Sequence, residues 1–221
     1  MKTALIIGAT GLVGGSVVNQ LLNDERYSVI KVFTRKTLGL NHAKLQEHIV
    51  DFEKMELWKK SIHGDELFSA MGTTIKKAGS KEAQYKIDFT YQYECAKAAS
   101  ENGVGKHLLV SSAGANSKSA NFYLRIKGEL DEKVSELPFK QISIFRPSIL
   151  AGKRNERRIG EELGASIIKF FTQIIPPLRK YRPINVETVA GAMIKAANQE
   201  NNIKLSIYEL EKIFQLVSKN R

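Results

Sequence analysis

A glycine run near the start of the chain constrains its fold more than any other feature. Gly8-Ala9-Thr10-Gly11-Leu12-Val13-Gly14 places glycine at every third position. It lies between an apolar stretch, residues 3–7, and a segment in which Val13, Val17, Val18, Leu21 and Leu22 recur at helical spacing. A buried strand that turns through glycines into an amphipathic helix is the opening unit of a parallel α/β sheet. Gly8 permits the tight exit from the strand, Gly11 lets backbone approach a pyrophosphate, and Gly14 lets the helix pack against the sheet. Free N–H groups and the positive end of the helix dipole then favour phosphate. In this strand-turn-helix setting Gly8, Thr10, Gly11, Leu12, Val13 and Gly14 are predicted to hold a dinucleotide, against the alternative of a purely structural turn.

The alternation continues. Strands are predicted over 28–34, 45–50, 66–71, 107–111 and 141–145, with helices over 81–102, closed by Gly103, and 120–137, stopped by Pro138. Beyond Pro147 a helix is predicted over 159–175, ended by Pro176-Pro177, and another over 186–199. Residues 203–208 read as a last strand before a helix to 219, although Ser206 and Glu209 also form an S-x-x-E capping box. The expectation is a doubly wound Rossmann fold with a mostly parallel sheet. Residues 1–221 are expected to form one domain, with about 150–221 as a small substrate-side lobe.

Composition narrows the setting. Of 221 residues, 43% are apolar and 26% charged, enough to build a core under an ordinary surface. No apolar run approaches the ~18–20 residues that span a bilayer, and no signal peptide is evident, so a membrane is not expected. The lone Cys95 has no internal disulfide partner, and His42, His48, His63 and His107 lack metal-ligand spacing. A reducing cytoplasm and no metal are therefore expected. The net charge is +11, with Lys153, Arg154, Arg157, Arg158, Lys169, Arg179, Lys180 and Arg182 crowding one region. That run reads equally as a solvated face or as a holder for an anionic small-molecule substrate. Nucleic-acid binding is disfavoured, because no recognition motif accompanies the charge.

The end of the second strand bears on cofactor choice. Phe33-Thr34-Arg35-Lys36 carries no carboxylate to meet an adenosine ribose, whereas Arg35 offers paired donors to a 2′-phosphate and Lys36 adds a point charge. NADP(H) is thus expected over NAD(H), against the reading of two ordinary surface cations. Asp51-Phe52 follows the third strand, where Asp51 suits either the adenine amine or a helix cap. Met71-Gly72-Thr73 follows the fourth, where a glycine lets the chain pass close to a bound ribose.

Chemistry is expected after the fifth strand. Ser111-Ser112 stands at its tip, and Tyr123 and Lys127 follow one helical turn apart on one face. An ammonium near a phenol favours its ionised form, so Tyr123 could pass a proton to a carbonyl oxygen held by Ser112 or Ser111. Lys127 would also bind the ribose hydroxyls on the nicotinamide side.

With these motifs in place the chain resembles the short-chain dehydrogenase/reductase superfamily over about residues 1–150. It is closer still to the atypical branch of Tat-interacting-protein-like oxidoreductases. The likeness rests on Met71-Gly72-Thr73-Thr74, Lys76-Lys77-Ala78-Gly79, Ser111-Ser112-Ala113-Gly114-Ala115, Asn121-Phe122-Tyr123, Lys127-Gly128-Glu129 and Phe145-Arg146-Pro147. The resemblance implies NADPH binding and a C-terminal substrate lobe. It also implies that backbone near Pro147-Ser148-Ile149 meets the nicotinamide carboxamide, which adds Arg146, Pro147 and Ile149 to the cofactor set. The Ser-to-Tyr interval, twelve residues from Ser111 and eleven from Ser112, is short for the superfamily. An NADPH-dependent oxidoreductase of a carbonyl or alcohol is the first expectation. A non-catalytic NADPH-binding module that senses redox state or binds a protein partner is the second.

Overall fold

The computed structural model describes residues 1–151, 182–200 and 202–218. The expected helix over 159–175 and all of the basic run except Arg182 lie outside these residues.

β1 (Lys2–Ile7) lies inside a seven-stranded sheet ordered β3-β2-β1-β4-β5-β6-β9. The flanking strands are β2 (Tyr27–Thr34), β3 (Leu45–Ile49), β4 (Glu66–Ser69), β5 (Lys106–Val110), β6 (Gln141–Arg146) and β9 (Leu205–Glu209). Every pairing in this sheet is parallel. A strand covered on both faces must be apolar on both, and β1 obeys: Ala4 and Ile6 enter one core, Leu5 and Ile7 the other. The first core lies under α1 (Leu12–Leu22), α6 (Val186–Ala197) and α7 (Glu211–Ser218). The second lies under α4 (Tyr91–Glu101) and α5 (Phe122–Ser135). This is the doubly wound Rossmann arrangement, and ligands to such sheets gather beyond the carboxyl ends of the strands.

Two expectations are corrected. The helix over 81–102 is divided into α3 (Lys81–Tyr85), a π-helical turn at Lys86–Thr90, and α4, while a further short helix, α2 (Ile75–Ala78), precedes it. Ser206 lies inside β9, paired with Ser143, so the S-x-x-E pattern is not a cap. A two-residue parallel pair outside the main sheet, β7 (Leu150–Ala151) with β8 (Ile184–Asn185), was not foreseen.

At the amino ends of the strands a polar staple closes the sheet. The nearly fully buried Glu66 accepts from Tyr27 Oη at 2.5 Å and from Lys2 Nζ at 2.6 Å. Asn198, just past α6, donates to Tyr27 Oη and accepts from Lys2 Nζ, each at 2.8 Å.

His107 on β5 is buried with both ring nitrogens unpaired among the described residues, stacked on Phe139 at 5.2 Å. Burial alone pushes its pKa down from 6.5 to about 3. Within that window the unfolded chain takes up a proton that the folded chain refuses, so stability is lost as the pH falls below 6.5. Urea denaturation at pH 7 and pH 4 should show the parent losing on the order of 3 kcal/mol more than a His107→Leu variant. Equal losses in the two proteins would show that His107 is not part of the acid response.

Candidate functional site

The glycine run connects β1 to α1 as a cradle with no room for a side chain at Gly8 or Gly14. Gly8 adopts a φ of +83°, and a Cβ there would lie 2.5 Å from the carbonyl carbon of Ala70 after β4. A Cβ on Gly14 would stand 2.2 Å from Gly8 O. The amide of Gly11 donates to Gly8 O at 2.9 Å, and Gly11 is the N-cap of α1 with no side chain to cover the first turn. Thr10 and Gly11 are exposed, Leu12 is half-buried and Val13 sits in the core. Val13 would therefore contribute only its amide. A floor of close-packed backbone below an uncapped helix N-terminus fits a diphosphate.

Beside it, Arg35 and Lys36 are exposed just past the end of β2. Thr34 Oγ1 donates to Lys36 O at 2.9 Å and shapes this turn. Asp51 caps the 3₁₀ turn Phe52–Leu57, its carboxylate accepting from Glu53 N at 3.0 Å, so capping is the role the structure gives it. Phe52 is buried, 5.4 Å from the Trp58 ring and 5.5 Å from Tyr91. Sequence reasoning missed an acid here. Glu53 accepts from the Tyr91 hydroxyl and from Lys86 Nζ at 2.9 Å. The Tyr91 bond, then Lys86, hold its carboxyl below the usual range. Burial and that same bond push the Tyr91 phenol up to about 12, and Arg35 acts against them.

The serines at the end of β5 part company. Ser111 is buried and donates to Asp131 Oδ2 at 3.0 Å, the oxygen that also receives Arg146 Nε at 2.9 Å. Burial raises the Asp131 carboxyl above its ordinary value, against those two partners. Ser111 and Arg146 thus serve the scaffold between α5 and β6, which corrects their expected roles. Ser112 is half-buried, and its hydroxyl makes only a weak 3.4 Å bond to Ala113 O. Ala113 N donates to Pro147 O at 3.0 Å and ties the two strand tips together. Pro147 is buried and Ile149 exposed.

Asn121 starts α5 by accepting from Leu124 N at 3.1 Å. Gly128 presses the helix against Asn116, where a Cβ would come within 2.2 Å of backbone. Tyr123 is 38% exposed, and one turn on Lys127 is only 2% exposed. The Lys127 ammonium lies 3.0 Å from Asp88 Oδ1 and 3.4 Å from Met71 O. Burial pulls this lysine down, but Asp88, with Tyr123 and Asp131, leaves it above its ordinary value. Asp88, fully buried in the π turn, also accepts from Thr73 N at 3.1 Å. The sequence held a signal for it: Asp88, Gln92, Cys95, Ala96 and Ala99 share one inward helical face, and an acid there requires a partner.

Residues 8–157 match the profile of the NAD(P)H-binding family. Protein HTATIP2 of Rattus norvegicus is 30% identical over 97% of this chain and 89% of its own length. Protein FMP52, mitochondrial, of Lodderomyces elongisporus is 34% identical over 96% of both chains. Among solved structures, the enzyme WbmH of Bordetella bronchiseptica in complex with NAD⁺ superposes with a TM-score of 0.71 at 16% identity, covering 95% of this chain and 75% of that one. UDP-glucose 4-epimerase of Thermotoga maritima gives 0.67 at 15% identity, with 98% and 82% covered. At these identities the two structures bear on the fold alone. Several fungal relatives carry "mitochondrial" in their names, which overturns the expectation of a cytoplasmic protein.

Proposed function

This chain belongs to the NAD(P)H-binding family, in the atypical branch of the short-chain dehydrogenases/reductases, and from that premise we propose that it is an NADPH-dependent oxidoreductase of a carbonyl or alcohol compound. The observation that carries the reading is Lys127, buried one turn from the exposed Tyr123 and held against the backbone that leaves β4. A lysine is not placed at such depth for surface solvation.

The nicotinamide cofactor, when bound, supplies or accepts the hydride. Backbone amides from Leu12 to Gly14 would receive its diphosphate, and Arg35 with Lys36 the 2′-phosphate. Ser112 Oγ would donate to the substrate's carbonyl oxygen, and Tyr123 Oη would deliver the proton to that oxygen, or remove it in the reverse direction. The Lys127 ammonium would stabilise the phenolate left behind. We take residues 1–221 as one unit, with the stretch after about residue 150 on the substrate side and its basic side chains suited to an anionic substrate.

Thermal unfolding with NADPH and with NADH tests the cofactor assignment. A ligand at 100 times its Kd stabilises by ~2.7 kcal/mol, which at this chain length is a rise of roughly 2–4 °C per kcal/mol. NADPH should raise Tm well above NADH at equal concentration. Arg35→Glu should weaken NADPH by about tenfold or more while leaving NADH largely untouched. Equal stabilisation of the parent by both cofactors would remove the NADP(H) preference.

A further inference from the structure

The tips of three strands are tied together beside Ser112. Ala113 N donates to Pro147 O at 3.0 Å, which joins the end of β5 to the end of β6. Gly114 N donates to Glu209 Oε1 at 3.3 Å, which joins it to the end of β9. Ser148 Oγ donates to Arg182 O at 2.6 Å, so the segment that leads into β8 is fastened to the same rim.

The Arg182 side chain is fixed as well. Its guanidinium lies 4.0 Å from the centre of the Phe214 ring on α7, and Nη2 donates to Glu211 Oε1 at 3.2 Å. A guanidinium laid on an aromatic face loses little further freedom when it grips a ligand. The Arg182 and Glu211 side chains are 42% and 45% exposed. An ion pair this open holds weakly, so a better-matched anion displaces the carboxylate at small cost. The corner that carries Glu211 is strained. Leu210 has a φ of +51°, the one positive φ outside glycine among the described residues. Leu210 N donates to Arg146 O at 3.2 Å and Ile213 N to Leu210 O at 3.1 Å, which hold the turn. Strain of this kind gathers at ligand sites.

We infer that Arg182 is the anion reader of the substrate side: it takes a carboxylate or phosphate carried by the carbonyl compound, in place of Glu211, through two parallel N–H···O bonds. The assignment deepens the oxidoreductase reading above and rests on it. Ligands to such sheets gather beyond the carboxyl ends of the strands. Arg182 stands at the ends of β6 and β9, and the links through Pro147 and Gly114 place it on the rim that carries Ser112. Glu209, the other acid there, is engaged by Gly114 N. Gripping a charge remote from the reacting carbon lowers KM and leaves kcat largely unchanged.

Steady-state oxidation of NADPH by the full chain compares two matched pairs: succinic semialdehyde with butanal for a carboxylate, and glyceraldehyde 3-phosphate with glyceraldehyde for a phosphate. The parent should favour the charged member of one pair by about tenfold or more in kcat/KM. Arg182→Gln should bring that ratio to about one through KM, with the neutral aldehyde unchanged. Glu211→Gln should move it the other way and lower the KM of the charged aldehyde by about threefold, because the competing carboxylate is gone. A pair that served only the scaffold would give no such gain. Equal kcat/KM within both pairs, a ratio that survives Arg182→Gln, or a Glu211→Gln variant no better than the parent overturns the assignment and leaves the oxidoreductase reading standing. A parent that turns over none of these aldehydes counts against that reading, and ligand-observed NMR then decides for Arg182. Succinate and glycerol 3-phosphate carry the acid without the carbonyl. With NADPH present, one of them should bind the parent and not Arg182→Gln. Equal binding by both proteins, or none by either, overturns the anion site.

Discussion

A Tyr123→Phe variant should bind NADPH as tightly as the parent and reduce any accepted carbonyl compound ~10²–10⁴-fold more slowly. The range is what a positioned general acid contributes to a proton transfer. The substitution is mild in every other respect. Tyr123 is 38% exposed in the first turn of α5, so the phenyl ring that remains keeps its packing. Asn121 still caps the helix, and Asp88 still holds Lys127. The loss should therefore fall on kcat, with the NADPH dissociation constant unchanged. The measurement is single-turnover oxidation of bound NADPH, followed by absorbance across a panel of aldehydes and ketones. A variant as fast as the parent removes Tyr123 from the chemistry. A parent that binds NADPH yet oxidises none of it would leave the redox-sensing or protein-binding module as the better account.

Gly14→Ala should abolish most cofactor binding and also lower stability. The added Cβ would stand 2.2 Å from Gly8 O and 2.7 Å from Gly8 C, and both neighbours are backbone. Relief requires α1 to move away from β1, which displaces the N–H groups that would receive the diphosphate. Overpacking of this kind costs about 1–3 kcal/mol, or roughly 2–4 °C of Tm per kcal/mol at this length. NADPH affinity should fall by ~100-fold, since the helix start and its phosphate contacts shift together. Gly15→Ala is the matched control. Its Cβ would meet only Ala9 O at 3.2 Å, and the gain in helix propensity offsets much of that contact. Differential scanning calorimetry with and without NADPH reads both effects. Similar behaviour of the two variants would show that the fit between Gly8 and Gly14 is not what the site depends on.

The opening of the chain was legible because two independent periods met there: a continuous apolar strand and a helix with its apolar face in step. α1 spans Leu12–Leu22, the stretch its apolar spacing predicts. The tip of β5 was not, since two adjacent serines point to opposite sides of an extended chain and nothing local sets the phase. Asp131, twenty residues from Ser111, decides it by taking that hydroxyl. Asp88 was legible as a buried acid in phase with Gln92, Cys95, Ala96 and Ala99, but the π turn that carries it was not. The stretch 81–102 has helical spacing throughout, but a π turn within it shifts the phase by a fraction of a turn, and spacing alone does not show where. The Glu53–Tyr91 contact joins residues 38 apart, a distance over which periodicity carries no information. Arg146 entered the cofactor set through the family resemblance alone, and a resemblance does not show that its guanidinium is taken by the buried Asp131 carboxylate.

The tiny β7–β8 ladder has an engineering consequence. Leu150 pairs with Ile184 and Ala151 with Asn185, and Ile184 N donates to Ile149 O at 2.9 Å. Both ends of the intervening stretch are thereby clamped side by side like the stem of an interchangeable attachment. Doubling the length between such clamped ends adds only ~0.6 kcal/mol of closure entropy. New inserts could be exchanged at this stem while the sheet, the glycine floor and the staple at the far rim keep their form.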